Sequence, residues 1–191
     1  MIEDVERIAD ELASMQKRMD GVMELSRLTV RLSAQGITAL HSKDMKKADS
    51  LLTELKASAA KLKKIEKGFE YYSEQAHQEY VEAMALSYVI RKGRLPAMKE
   101  IGAEPRAYIL GIMDLVGELK REAYDLARKG DYGAAERYYE LMRDIYDSTL
   151  HIRFANAVLQ NFRKKQDVAR IQLESVANLI TPERRSANAG R

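Results

Sequence analysis

Apolar residues recur at spacings of three and four along the first 40 residues of the chain. This spacing predicts one continuous amphipathic helix over residues 2–40. At 1.5 Å per residue, such a helix is roughly 60 Å long. A domain of 191 residues cannot cover an apolar stripe of that length by itself. Part of the stripe is therefore predicted to pack on a neighbouring subunit.

Helical patterns also dominate the rest of the chain. Only three prolines and ten glycines interrupt it, and no segment alternates apolar and polar residues as a strand does. The fold class is therefore predicted to be all-α, with a single helical domain over residues 1–180 and a disordered tail at 181–191. Five further helices are expected. The first of them begins within residues 41–44 and ends at about residue 67, and the others span about 69–91, 105–130, 132–152 and 154–179.

The amino-acid composition excludes several kinds of functional or stabilising site. Cysteine is absent, which excludes disulfides and thiolate metal sites. The sequence contains no run of 18 apolar residues and no signal peptide, so a soluble, cytoplasmic protein without a membrane span is expected. A net charge of +3 is too small to indicate a nucleic-acid binder by itself. Basic residues instead form local clusters, several of them near the ends of predicted helices. These clusters lie at residues 61–67, 91–94, 120–121 and 163–165.

Two apolar helical runs each carry a pair of carboxylates. In residues 108–119 the only charged side chains are Asp114 and Glu118, and residues 79–90 contain only Glu79 and Glu82. Residues three or four apart lie on the same side of a helix, so each pair addresses a single point. These carboxylates are predicted to be buried, and burying an unpaired carboxylate is costly. A cation is therefore predicted between the two helices.

The cation can be a metal ion or a basic side chain. Carboxylate oxygens suit Mg²⁺ or Mn²⁺ better than zinc, which prefers sulfur and imidazole. The alternative is a structural salt bridge to Arg91, Lys120 or Arg121, which follow the two acidic runs. A different alternative arises at residues 130–146, where GDYGAAERYYELMRDIY resembles half of a tetratricopeptide repeat. That segment leaves a helical protein-interaction scaffold open.

Taken together, these residues resemble the translin family, and within it the branch of translin-associated factor X (Trax). Four blocks carry the resemblance: LSRLTVRLSAQGITALH at 25–41, QEYVEA at 78–83, YILGIMDLVGELKR at 108–121 and, more weakly, FRKKQDVARIQLESV at 162–176. The resemblance implies a bundle of about six to seven helices. It also implies a homo-oligomer, expected to be a hollow octamer, that encloses single-stranded RNA or single-stranded DNA.

The resemblance also implies an activity. Trax is the catalytic subunit of the translin–Trax endoribonuclease, which uses a Glu-x-x-Glu pair and an Asp-x-x-x-Glu pair to hold a divalent metal. By motif these pairs fall on Glu79 and Glu82 and on Asp114 and Glu118. The four residues are therefore predicted to be catalytic and to bind Mg²⁺ or Mn²⁺. Because translin itself lacks the complete set, the intact set favours an active nuclease over a binder without activity.

A further group of residues is predicted to contact the nucleic acid. Arg27 and Arg121 lie in the family motifs, and Lys120 and His77 lie beside the acidic pairs. A lone histidine on a helix is more often structural. Tyr72, Tyr80 and Tyr88 could stack on bases, although tyrosines at this spacing are more often core residues. Three functions remain open, namely a metal-dependent ribonuclease, a non-catalytic binder of single strands and a helical scaffold.

Overall fold

The computed structural model describes the backbone of residues 2–189 and the side chains of these residues except 3 and 182–189. The described part of the chain is all-α, as predicted, and contains no strand. Two short 3-10 turns, Glu70–Tyr72 and Met98–Glu100, lie between the longer helices. The helices are α1 (Ile2–His41), α2 (Met45–Ile65), α3 (Glu74–Lys92), α4 (Pro105–Arg128), α5 (Tyr132–Thr149) and α6 (Phe162–Ala189).

The chain divides into two compact units, Met1–Ala83 and Met84–Arg191, with the boundary inside α3. In the first unit α1 packs against α2. The turn between them places Lys43 at a φ of 61°, and the Asp44 carboxylate then caps α2 by accepting from the Lys47 backbone N–H. Val22 and Leu62 are fully buried in the core of this unit.

The first half of α1 extends past the end of α2. Near this end Ile65 approaches Gly21, and the Arg18 guanidinium donates to the Lys67 carbonyl. Before Arg18 the apolar side chains of α1 are exposed, each by about half or more of its surface: Ile2, Val5, Ile8, Leu12 and Met15. An exposed apolar stripe of this kind on an isolated helix marks an interaction surface.

In the second unit α4, α5 and α6 pack on one another. Leu115, Leu119, Met142 and Val176 are fully buried where the three helices meet. Polar contacts also fix α6. The Gln166 amide donates to the Thr149 carbonyl at the end of α5, and Tyr124 of α4 hydrogen-bonds the Ser175 hydroxyl at 2.5 Å. These contacts set the orientation of the face of α6 that lies against α4.

Most predicted helix bounds agree with the structure to within a few residues, but the predicted start of α6 is wrong. The apolar spacing places this start at Phe154, whereas the helix begins at Phe162. Phe154 and Val158 are exposed, and the Asn156 side chain accepts from the Asn161 backbone N–H. Asn161 has a φ of 57°, a left-handed conformation that asparagine tolerates and that stops a helix.

The C-terminal end of α6 also differs from the expected bound. The helix continues past residue 179 to Ala189. Residues 190 and 191 and the side chains of 182–189 lie outside the described part of the chain. The disordered tail predicted at 181–191 and the single domain predicted over 1–180 stay predictions. None of the described helices is long and apolar enough to cross a membrane.

Candidate functional site

Asp114 lies in the middle of α4 and is held by a lysine of α6. Both of its carboxylate oxygens accept from the Lys165 ammonium group. The Asp114 side chain is 33% exposed and that of Lys165 21% exposed. Because the flanking residues Met113 and Leu115 are buried, this pair forms a partly shielded charged spot on an otherwise apolar stretch of helix.

This arrangement corrects part of the sequence interpretation. The apolar residues around Asp114 predict a buried carboxylate, but a third of its side chain is accessible to solvent. The cation that neutralises it is Lys165, not one of the three basic residues adjacent to the acidic runs. Arg91 donates to the Ser87 hydroxyl, the Lys120 ammonium lies 5.5 Å from the centre of the Tyr124 ring, and Arg121 is exposed.

The other three predicted ligands are partly buried. Glu118 lies one turn after Asp114 on α4, in the second unit. Glu79 and Glu82 lie on α3 within the first unit. All three take part in polar or charged interactions. Among the described side chains no three His, Asp or Glu residues form a cluster that could hold a metal ion, so the four-ligand site stays a prediction.

The chemistry of the donors nevertheless fits a hard divalent cation. All four predicted ligands are carboxylates, whose oxygens Mg²⁺ and Mn²⁺ prefer. At Asp114 the geometry also supports a cation, because the Lys165 ammonium group already contacts both carboxylate oxygens. A metal ion at Asp114 has to replace the Lys165 ammonium as the partner of this carboxylate.

Glu122 is the carboxylate of α4 that is buried, and sequence reasoning missed it. Only 3% of this residue is exposed. Its position continues the buried stripe of Leu115 and Leu119, and that spacing was the available signal. Burial of the neighbouring Tyr138 phenol and the nearby Glu122 carboxylate together raise the pKa of Tyr138 to about 12.

His77 makes a structural contact in the first unit. Its Nε2 atom lies 2.6 Å from Oε2 of Glu66, the residue that follows α2. Both side chains are largely buried. This contact joins the start of α3 to the end of α2, as expected for a structural histidine. Binding of nucleic acid by His77 stays a prediction.

The three tyrosines considered for base stacking have different environments. Tyr80 is buried, which is typical of a core residue. Tyr88 is partly buried, and its ring lies 4.2 Å from the Lys92 ammonium. Tyr72 is exposed and lines a cavity of the first unit together with Arg27. Of the three, Tyr72 is the one whose ring is open to a ligand beside a predicted nucleic-acid contact.

Comparison with known proteins identifies the family. The chain superposes on the crystal structure of apo-NeC3PO with a TM-score of 0.87 at 26% identity, over 95% of this chain and 97% of that one. The structure of AfC3PO in complex with duplex RNA matches with a TM-score of 0.88 at 25% identity, over 96% and 97% of the two chains. An uncharacterised protein of Methanocaldococcus jannaschii is 31% identical over 169 residues, which cover 85% of this chain and 75% of the relative. The model of the translin family matches residues 2–180. This chain is therefore a member of the translin family.

Proposed function

We propose that this protein binds single-stranded RNA, or single-stranded DNA, and cleaves RNA in a reaction that depends on Mg²⁺ or Mn²⁺. Membership of the translin family and the likeness to AfC3PO, which was solved with duplex RNA, support the binding of nucleic acid. Glu79, Glu82, Asp114 and Glu118 are the proposed metal ligands and catalytic residues. Arg27, Lys120 and Arg121 are the proposed phosphate contacts, and the protein is proposed to act in the cytoplasm.

The observation that carries the catalytic part is the ion pair of Asp114 with Lys165. Both oxygens of this partly shielded carboxylate already accept from one cationic group, which supports a cation as the partner of Asp114. A bound divalent ion supplies charge stabilisation for the phosphoryl oxygens and a water of lowered pKa. The carboxylates orient that ion. If a metal ion displaces Lys165 from Asp114, its ammonium group would be free to pair with a phosphate of the RNA.

The same ion pair favours a second candidate function. If Lys165 remains on Asp114 when RNA is bound, the aspartate is neutralised within the protein and cannot serve as a metal ligand. The protein is then a binder of nucleic acid without nuclease activity. A helical scaffold has less support, because the family match covers residues 2–180 and explains the same helices without a repeat.

A cleavage and binding assay on the wild-type protein tests the proposal. We expect a labelled single-stranded RNA to be cut in the presence of Mg²⁺ or Mn²⁺ and to remain intact after addition of EDTA. Binding should weaken steadily as salt rises, because phosphate contacts release counterions. Binding without cleavage under any divalent ion contradicts the nuclease assignment. Absence of binding at low salt contradicts both candidate functions.

We also propose that eight copies of the chain assemble into a closed particle. The exposed apolar stripe at the start of α1 is too large to remain in water on a stable monomer, and contacts between copies would cover it. Light scattering should give a mass of about 174 kDa, eight times the subunit mass of 21.7 kDa. Replacing Leu12 and Met15 with glutamate should lower this mass, whereas the same change at the exposed polar residues Gln16 and Lys17 should not. A wild-type mass near that of one subunit would rule out the assembly.

A further inference from the structure

A cavity of about 360 Å³ opens in the first unit between α1, the turn at Glu70–Tyr72 and the start of α3. Its apolar lining includes Met23, Val30 and Ala76. Ala76 belongs to the core of this unit and the partly buried Val30 packs against that core, so this wall of the cavity is anchored in packed structure. The volume lies near the lower limit of pockets that take small organic ligands, which is about 300 Å³. It therefore suits one compact group.

A buried hydroxyl without a partner lies in this wall. Ser26 lines the cavity and is 7% exposed, and its Oγ atom has no hydrogen-bond partner among the described residues. Leaving a buried hydroxyl unsatisfied costs free energy that a ligand atom can recover. The Gln75 amide also lines the cavity and provides further donors and an acceptor. The cavity thus combines an apolar wall with polar groups able to recognise the edge of a base.

Two arginines complete the lining of the cavity. Arg27 and Arg31 are four residues apart on α1, so they project from the same face of the helix. Both are exposed, so their guanidinium groups are accessible to a ligand. Paired guanidinium groups of this kind match the geometry of a phosphate. Charge recognition and base recognition therefore coincide at one pocket.

We propose that this cavity binds one nucleotide of a single strand, with the base inside and stacked on Tyr72 and the adjoining phosphate on Arg27 and Arg31. This inference rests on the proposed binding of RNA and specifies where strand selectivity arises. Bases of a duplex are paired and stacked on their neighbours, so they cannot enter the cavity without first leaving the helix. A base of a single strand enters at little cost. The pocket therefore favours single strands over duplexes.

Replacement of Tyr72 tests the pocket against a control at the adjacent residue. Tyr72 lines the cavity, whereas Tyr71 is 80% exposed and does not line it. The two rings pack edge to face, with their centroids 5.5 Å apart. Fluorescence anisotropy measures binding of a labelled single-stranded RNA, of the same sequence in a blunt duplex, and of a single strand carrying abasic sites. For Tyr72→Ala we expect affinity for the ordinary single strand to fall about tenfold, as for the loss of a base stack. Affinity for the duplex and the abasic strand should change less than about twofold. Tyr71→Ala removes only the edge-on neighbour of the Tyr72 ring, so it should lower affinity for the ordinary single strand clearly less than Tyr72→Ala does.

A second variant tests the phosphate part of the pocket. Arg31→Ala should weaken binding of the ordinary strand and reduce the salt dependence of binding, compared with Lys17→Ala, which removes an exposed charge elsewhere on α1. Melting temperatures of all variants show that each one is folded. If the wild type binds RNA but Tyr72→Ala and Tyr71→Ala behave alike, the pocket is not the binding site, while the proposed function stands. If the wild type binds none of the three nucleic acids, the proposed function itself fails.

Discussion

Replacing Asp114 with asparagine should reduce metal-dependent cleavage of single-stranded RNA by about a thousandfold, because a metal ligand contributes several kcal/mol of transition-state stabilisation. Asparagine preserves the shape of the side chain but removes its charge. RNA binding should persist or improve, since a negative charge near the phosphates is lost. Cleavage rates at saturating RNA, together with dissociation constants at fixed salt, separate these two effects.

A matched control for this variant lies on the same helix. Asp125 is a surface residue of α4 that forms an ion pair with Arg128 at 3.5 Å. Asp125→Asn removes the same charge outside the proposed site, so it should cleave RNA at the wild-type rate. A folded Asp114→Asn protein that also cleaves at the wild-type rate would exclude Asp114 as a ligand. If the remaining cleavage comes from a contaminating nuclease, this chain is better explained as a non-catalytic binder of nucleic acid.

The fold was predictable where sequence signals are local. Regular apolar spacing and the capping Asp44 define the end of α1 and the start of α2 to within a few residues. At the start of α6 the same kind of spacing misleads, because Phe154 and Val158 repeat at a helical interval yet are exposed. The Asn156 side chain and the left-handed Asn161 stop the helix there. The hydrogen bond from the Asn161 backbone to the Asn156 side chain therefore outweighs the apolar spacing, and the helix does not begin at Phe154.

Only the carboxylates of the candidate site were predictable from the sequence, and the basic partner of Asp114 was not. An unusual charge within an apolar helix is visible along the chain, so Asp114 and Glu118 could be identified from their neighbours. The partner of Asp114 is Lys165, 51 residues away on α6. Which of the many lysines meets Asp114 depends on how α6 packs against α4, and that packing has no signature in local sequence. Ser26 was missed for the same reason, since its burial without a partner follows from packing in the first unit.

Replacing Lys165 with methionine should raise the affinity of the protein for Mn²⁺ by about tenfold, because the cation that competes for Asp114 is removed. Methionine keeps much of the length and apolar contact of the lysine stem. In metal-free buffer the variant should melt a few degrees below the wild type, since Asp114 loses its partner. The loss should be about 1 kcal/mol, less than for a fully buried pair, because a third of the aspartate is exposed.

Addition of Mn²⁺ distinguishes a competitor of the metal from a purely structural lysine. Electron paramagnetic resonance of free Mn²⁺ gives the affinity, and a thermal melt in the presence and absence of the ion gives its effect on stability. If Lys165 occupies a metal position, Mn²⁺ should restore the melting temperature of Lys165→Met, because an ion that binds only the folded state stabilises it. Lys164→Met, which removes an exposed charge from the preceding residue, should show neither effect. A destabilised Lys165→Met protein whose Mn²⁺ affinity equals that of the wild type would make the pair a structural salt bridge and remove the main support for a metal at Asp114.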